Sequence, residues 1–238
     1  MIENCTPILL AGGKGTRLRP LTFVFPKPLV PLGDSPIIDI VIKRLSTFGF
    51  PEIIISTGYM SELIRAVCGN GEKYGVKLKY LNETSPRGTA GSLSMATFDT
   101  EHCIAINGDI LTTLNFERML ESHVHSKSDI TIGVQKRFST IDYGVVLTEQ
   151  DTFVGFEEKP TLSHNVSMGV NILHRDILTQ IEKCHYLDMP DLILRVHRQG
   201  GKVTCYQEDC QWLDVGRIDD FAKAQTLFES SPDEFLKK

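Results

Sequence analysis

The sequence predicts an α/β fold, doubly wound around a mostly parallel but mixed central sheet, in one domain. Three observations carry that expectation. Short apolar runs alternate with amphipathic helical patterns from the N-terminus past residue 100, the pattern of βαβ units. Between about 129 and 173, strand-like runs follow one another with few helical residues between them, which reads as an added, more antiparallel subregion. The chain has 238 residues, 41% hydrophobic and 23% charged, and no linker, repeat or low-complexity segment, enough for one large core without staples.

The elements follow in order. Pro7 to Ala11 reads as a buried strand. From Ser35 to Phe48, Ile37, Ile38, Val41, Ile42 and Leu45 share one helical face while Asp39, Lys43 and Arg44 lie off it. Then come strand Glu52–Ser56, helix Ser61–Cys68, strand Lys77–Leu81, helix Thr89–Ala96 and strand Cys103–Ile106. The middle supplies strands at Asp129–Val134, Tyr143–Leu147, Val154–Glu157 and Val166–Leu173. Helices return at Ile177–Lys183, Asp191–Gln199 and Asp219–Glu229. Between the first strand and first helix, Pro20, Pro26, Pro28, Pro31 and Pro36 punctuate a long loop, at the strand end where α/β sheets bind ligands.

Composition excludes several classes. The formal net charge is −5, so bulk attraction to nucleic acid or to an anionic membrane is not expected. No stretch approaches the ~18 apolar residues of a membrane span, and Glu3 and Asn4 interrupt any leader pattern. The six cysteines form no CxxC pair, so a zinc site is not expected and a reduced, cytoplasmic setting is. His123 and His125 sit two apart on a helical stretch and read as surface residues rather than a metal site. Phe23, Phe25 and Phe48 read as core or loop packing.

The strongest local feature is Leu9-Leu10-Ala11-Gly12-Gly13-Lys14-Gly15-Thr16-Arg17-Leu18. Glycines let backbone N–H groups approach phosphate oxygens. The spacing fits neither a P-loop nor a dinucleotide fingerprint, since Leu18 stands where the third glycine belongs. Charge makes the loop more than a turn: from Asn4 through Gly33 there is no acidic residue, while Lys14, Arg17, Arg19 and Lys27 add four positive charges. In an acidic protein that cluster points to phosphate.

Leu10 to Thr22, followed by Pro26-Lys27-Pro28-Leu29-Val30-Pro31, resembles the signature of the sugar-phosphate nucleotidylyltransferases. The resemblance continues through Glu83 to Gly91, Asn107-Gly108-Asp109, Phe156-Glu157-Glu158-Lys159-Pro160 and Trp212-Leu213-Asp214-Val215-Gly216, in the family's order and over nearly the whole chain. Closest in pattern are the sugar-1-phosphate guanylyltransferases. The resemblance implies a Rossmann-like three-layer α/β fold with a mostly parallel mixed sheet and a small antiparallel, sugar-binding subregion. Within the single domain, 1–238, it implies a nucleotide-binding half over about 1–125, a sugar-phosphate half over about 126–218 and a C-terminal helix over 219–238.

Such enzymes join a nucleoside triphosphate to a sugar 1-phosphate and release pyrophosphate. The attacking phosphate oxygen is already ionised near neutral pH, so the protein must position two polyanions and offset their charge rather than supply a nucleophile. By resemblance, Leu10, Ala11, Gly12, Gly13, Gly15, Thr16, Arg17, Lys27, Glu83, Pro86 and Gly88 hold the nucleotide. Arg17 and Lys27 lie along the phosphates and, with Asp109, form the catalytic group. Asp109 and Asp214 bind Mg²⁺, which needs only one or two carboxylates beside phosphate oxygens and water. Lys159 meets the sugar phosphate, Glu158 and Ser167 the sugar hydroxyls, and Gly144 offers its backbone. Lys14 is a weaker candidate and Arg19 reads as a surface charge.

Glu83 stands where thymidylyl- and uridylyl-using relatives often have glutamine. Glutamine matches the N–H and C=O of a pyrimidine edge, whereas an ionised carboxylate only accepts. Guanine presents two adjacent donors, so GTP is the expected nucleotide, with UTP or dTTP as the alternative. Departures from the family pattern are Ser167 where asparagine is common, which leaves the sugar open, and Arg217 where threonine is common. Only a short polar stretch follows Phe228, so no C-terminal β-helix is expected in this chain. A glycosyltransferase is disfavoured because Asp109 lies in Asn-Gly-Asp-Ile-Leu without an Asp-x-Asp pair. A non-catalytic nucleotide-sugar sensor is the third reading. Homo-oligomerisation does not follow from the sequence.

Overall fold

The computed structural model describes residues 1–183 and 185–237. In chain order its main elements are β1 (Cys5–Ala11), the short strands β2 (Pro31–Leu32) and β3 (Ser35–Pro36), α1 (Ile37–Thr47), β4 (Glu52–Thr57), α2 (Ser61–Cys68), β5 (Lys77–Asn82) and the single turn α3 (Gly88–Gly91). Next come β6 (His102–Asn107), β7 (Ile110–Thr112), α4 (Phe116–Ser126), β8 (Ile130–Thr140), β9 (Val145–Glu149), β10 (Thr152–Glu157) and β11 (Thr161–His174). The chain ends with α5 (Arg175–Thr179), α6 (Met189–Arg198), β12 (Val203–Tyr206), β13 (Trp212–Asp214), α7 (Ile218–Ser230) and α8 (Pro232–Leu236).

Seven strands form the central sheet in the order β12-β8-β11-β6-β1-β4-β5. All neighbours run parallel except β11, which is antiparallel to both β6 and β8. Alternation along the strands builds two cores. Leu9, Ile53, Ile55, Ile104 and Ile106 face one side, against α1, α2, α4, α7 and α8. Ile8, Ile54, Cys103 and Ala105 face the other, against α3, α5 and α6. This is the three-layer α/β arrangement that the sequence predicts, and the period of two along each strand produces it.

β8 and β11 continue beyond the sheet, pairing from Thr140–Thr161 down to Val134–Ser167, and carry the β9–β10 hairpin with them. This is the antiparallel subregion, longer than the apolar runs alone predict because its outer residues are mostly exposed. The ladder slips between Ser167 and Asn171, where Gly169 has φ +70° and a Cβ would stand 2.5 Å from Asn107 Nδ2.

Several expectations change. The Thr89–Ala96 helix is one α turn followed by a 3-10 turn, Ser92–Met95. Helix α4, which the sequence marks only as a helical stretch around His123 and His125, is capped by Asn115, whose side chain accepts from Arg118 N at 3.0 Å. His123 is not a surface residue: it is fully buried, because it extends the inward stripe Phe116, Met119, Leu120 by one turn. His125 is exposed, as expected. Phe48 is buried, while Phe23 and Phe25 lie exposed on the loop. The predicted C-terminal helix over 219–238 is two helices, and Lys238 lies outside the described residues.

Candidate active site

β1 pairs with β4 on one side and β6 on the other, so the chain order reverses at β1. The crevice beyond the carboxyl ends of strands at such a reversal is where open α/β sheets bind ligands. Here it receives the glycine loop after β1, Glu83 after β5 and Asn107-Gly108-Asp109 after β6. These surround a cavity of about 470 Å³ that is also lined by Leu10, Arg17, Lys27, Pro86–Thr89, Tyr186, Asp188, Asp214 and Gly216.

The loop is shaped by its glycines. Gly15 has φ +60°, and a Cβ there would stand 2.8 Å from Lys27 Cβ. Thr22 Oγ1 donates to Gly15 O at 2.8 Å. The glycine loop and the lysine segment are thereby pressed together, which directs Lys27 inward although its side chain is nearly buried. Lys27 Nζ pairs with Asp109 Oδ2 and lies 3.7 Å from Asp214 Oδ1. Asp109 and Asp214 meet because β13 pairs with β7, just after Asp109, and Val215 N donates to Asp109 O at 3.0 Å.

Burial and the neighbouring Asp109 push the Asp214 carboxyl above its ordinary range, offset in part by Lys27 and Arg17. Asp109 Oδ1 is buried with no hydrogen-bond partner. Two facing carboxylates, one with an orphaned buried oxygen, suit a cation. Among the described residues no group of three or more histidine, cysteine or carboxylate side chains is arranged to hold a metal ion. An oxygen-loving ion that takes two carboxylates and completes its shell from phosphate and water fits this donor set.

At the other end, Glu83 lies over the glycine loop. Its Oε1 accepts from Ser56 Oγ at 2.8 Å and its Oε2 from Arg87 N at 3.3 Å. The Pro86–Gly91 turn rests on the segment before α6. Gly88 has φ +75°, and a Cβ would stand 2.5 Å from Leu187 O. Thr89 N donates to Asp188 Oδ1 at 3.1 Å, and Tyr186 Oη donates to Asp188 Oδ2 at 2.9 Å.

The cavity thus gathers Leu10, Gly12, Gly13, Gly15, Thr16, Arg17, Lys27, Glu83, Pro86, Gly88, Asp109 and Asp214. Ala11 is buried in the core and does not line it. Lys14 and Arg19 also lie outside it; Arg19 stacks on Phe23 at 4.8 Å. Gly144, Glu158, Lys159 and Ser167 sit on the antiparallel arm, outside this cavity. Within the arm Gly144 and Glu158 are neighbours, since a Cβ on Gly144 would stand 3.2 Å from Glu158 Oε2. Arg87, Tyr186 and Asp188 are cavity residues that the sequence reading missed. The last two come from a loop some hundred residues from the glutamate, and only the run of hydrogen bonds across it brings them in.

The sequence pattern of the family described as Nucleotidyl transferase matches residues 6–231. The chain belongs to that family. Among curated relatives of this nucleotidyl transferase is the D-glycero-alpha-D-manno-heptose 1-phosphate guanylyltransferase of Aneurinibacillus thermoaerophilus, 31% identical over 92% of this chain and 96% of its own length. Mannose-1-phosphate guanyltransferase of Yarrowia lipolytica is 32% identical over 94% of this chain, and the match spans 64% of that relative. Mannose-1-phosphate guanylyltransferase of Mycobacterium tuberculosis is 28% identical, with 62% of its length matched. The chain therefore spans under two thirds of these mannose-1-phosphate relatives. Among solved structures, HddC from Yersinia pseudotuberculosis superposes with a TM-score of 0.73 at 24% identity over 94% of this chain, which shows the shared fold. No helix among the described residues is long and apolar enough to cross a membrane.

Proposed function

We propose that this nucleotidyl transferase transfers a nucleoside monophosphate from a nucleoside triphosphate, GTP by preference, to a sugar 1-phosphate. The products are an NDP-sugar and pyrophosphate. The observation that carries the proposal is the convergence of Lys27, Asp109 and Asp214 on one cavity with the glycine loop and Glu83. The relatives named above as guanylyltransferases support the choice of base.

In this reading an oxygen of the sugar phosphate attacks the α-phosphorus in line, and the bond from that phosphorus to the β-phosphate oxygen breaks. No protein nucleophile is needed. Backbone N–H groups of Gly12, Gly13 and Gly15 approach the phosphates, while Arg17 and Lys27 offset charge on the phosphates and on the departing pyrophosphate. Mg²⁺ on Asp109 and Asp214 would add Lewis-acid polarisation of the phosphates. Glu83 keeps acceptor capacity on both oxygens after its bonds to Ser56 and Arg87, and takes the N1–H and N2–H₂ donors of guanine.

The sugar 1-phosphate falls to the arm: Lys159 for its phosphate, and Glu158, Ser167 and the Gly144 backbone for the sugar. Residues of about 1–125 then serve the nucleotide, about 126–218 the sugar phosphate, and the 219–238 segment closes the fold. The five described cysteines are unbonded, which supports a reducing, cytoplasmic setting. Glu83→Gln tests the base assignment. Its kcat/KM for GTP relative to UTP should fall by about tenfold, and an unchanged ratio would remove Glu83 from base selection.

A further inference from the structure

Arg87 is unlike the other cations of the cavity. Lys27 is paired with Asp109 and Asp214, and Arg17 reaches the same end, with Nη2 3.7 Å from where a Cβ on Gly216 would stand. Those two belong to the carboxylate end of the site. Arg87 lines the same cavity from the opposite end, in the turn that follows Glu83. Among the described residues no carboxylate pairs with its guanidinium, and its Nε is buried without any hydrogen-bond partner. The residue as a whole is half-exposed and lines the cavity, so a ligand seated there is the natural acceptor for its unpaired guanidinium.

The backbone of Arg87 is fixed on both sides. Its N–H donates to Glu83 Oε2 at 3.3 Å, and its carbonyl accepts from Leu187 N at 2.9 Å. Beneath it Gly91 leaves room, since a Cβ there would stand 3.3 Å from Arg87 Cβ. The carboxylate of Glu83 and the guanidinium of Arg87 therefore come from one turn that lines the cavity, an acceptor pair and a donor fork. Guanine carries the complementary set on adjoining edges: N1–H and N2–H₂ donate, and O6 and N7 accept. Arginine with O6 and N7 is the commonest specific contact to guanine.

We infer that Arg87 is a second base-selecting residue, donating to O6 and N7 of the guanine whose N1–H and N2–H₂ meet Glu83. This inference rests on the proposed guanylyl function and extends it. Adenine offers an amino group where guanine has O6, so Arg87 rejects ATP as Glu83 rejects pyrimidines.

Calorimetric binding of four nucleotides to the full chain tests this, because it reads affinity without turnover. The probes are GTP, UTP, ITP, which lacks the 2-amino group, and 7-deaza-GTP, which lacks the N7 acceptor. The wild type should bind GTP over 7-deaza-GTP by on the order of tenfold. Arg87→Met should abolish that difference while keeping the preference of GTP over ITP, which belongs to Glu83. Arg87→Lys, which keeps charge but loses the fork, should also lose it, and serves if the methionine variant does not fold. Equal wild-type binding of GTP and 7-deaza-GTP, or an equal loss of affinity for all four nucleotides in both variants, overturns the role of Arg87 and leaves the Glu83 reading standing. A wild type that does not prefer GTP over UTP overturns the guanine reading itself, and Arg87 with it.

Discussion

Glu83 rests directly on Gly12: a Cβ added at Gly12 would stand 2.6 Å from Glu83 Oε1. The first glycine of the loop is therefore required by the packing of the Glu83 carboxylate. Gly12→Ala should push Glu83 away from Ser56 and lower GTP affinity by about tenfold or more, equivalent to ~1.4 kcal/mol. Gly13 has nothing within 4 Å of such a Cβ, so Gly13→Ala should perturb Glu83 far less. Parallel titrations of the two variants check this.

Asp109 and Asp214 oppose one another across Lys27, and a divalent ion should relieve that repulsion. Mg²⁺ should raise the thermal midpoint of the wild type and do so less in Asp109→Asn and in Asp214→Asn. Turnover should fall steeply in each, and the double variant should be little worse than either single one if both hold one ion. Melting curves with and without Mg²⁺ provide a readout independent of activity.

Lys27 and Lys159 separate the two substrates. Lys27→Ala should weaken use of the triphosphate and Lys159→Ala that of the sugar 1-phosphate. Each should lose about 1.5–3 kcal/mol at its own site. Initial rates with each substrate varied in turn decide it, and an effect of both variants on the triphosphate alone would take Lys159 out of the sugar site.

The buried histidines set the acid stability. His123 packs edge-on against His102, with ring centroids 5.0 Å apart, and His102 against His174 at 5.5 Å. Burial, with the neighbouring His102 and His174 and against the pull of Asp129, lowers His123 to about 4. His102 is lowered too, by burial, with Glu101 opposing and His174 adding a smaller push in the same direction as burial. The unfolded chain thus binds these protons more tightly, near pH 6.5. Their contribution is complete above about 6.5 and is lost as pH falls towards 4, on the order of 3 kcal/mol for His123. His123→Gln should flatten the decline of denaturant midpoint across that window.

The sheet is legible because its pattern is local: Ile53, Ile54 and Ile55 alternate between two cores. The acid-free stretch around Gly12 likewise marks the loop that lines the cavity. His123 was misread because its neighbour His125 is polar and exposed, while the inward stripe from Phe116 shows only over two turns. Asp188 and Tyr186 are illegible because their segment reaches the cavity through tertiary bonds, from Thr89 to Asp188 and between Leu187 and Arg87, Ala90 and Gly91. The arm exceeded its apolar runs because backbone pairing, not burial, holds its outer residues.

Pyrophosphate release, measured with each of the four common nucleoside triphosphates against a panel of sugar 1-phosphates in Mg²⁺, tests the central claim most directly. The account predicts turnover with GTP above the other three triphosphates for at least one sugar 1-phosphate. Release that prefers any of the other three would contradict the guanylyl assignment, and no release with any pair would contradict the transferase itself.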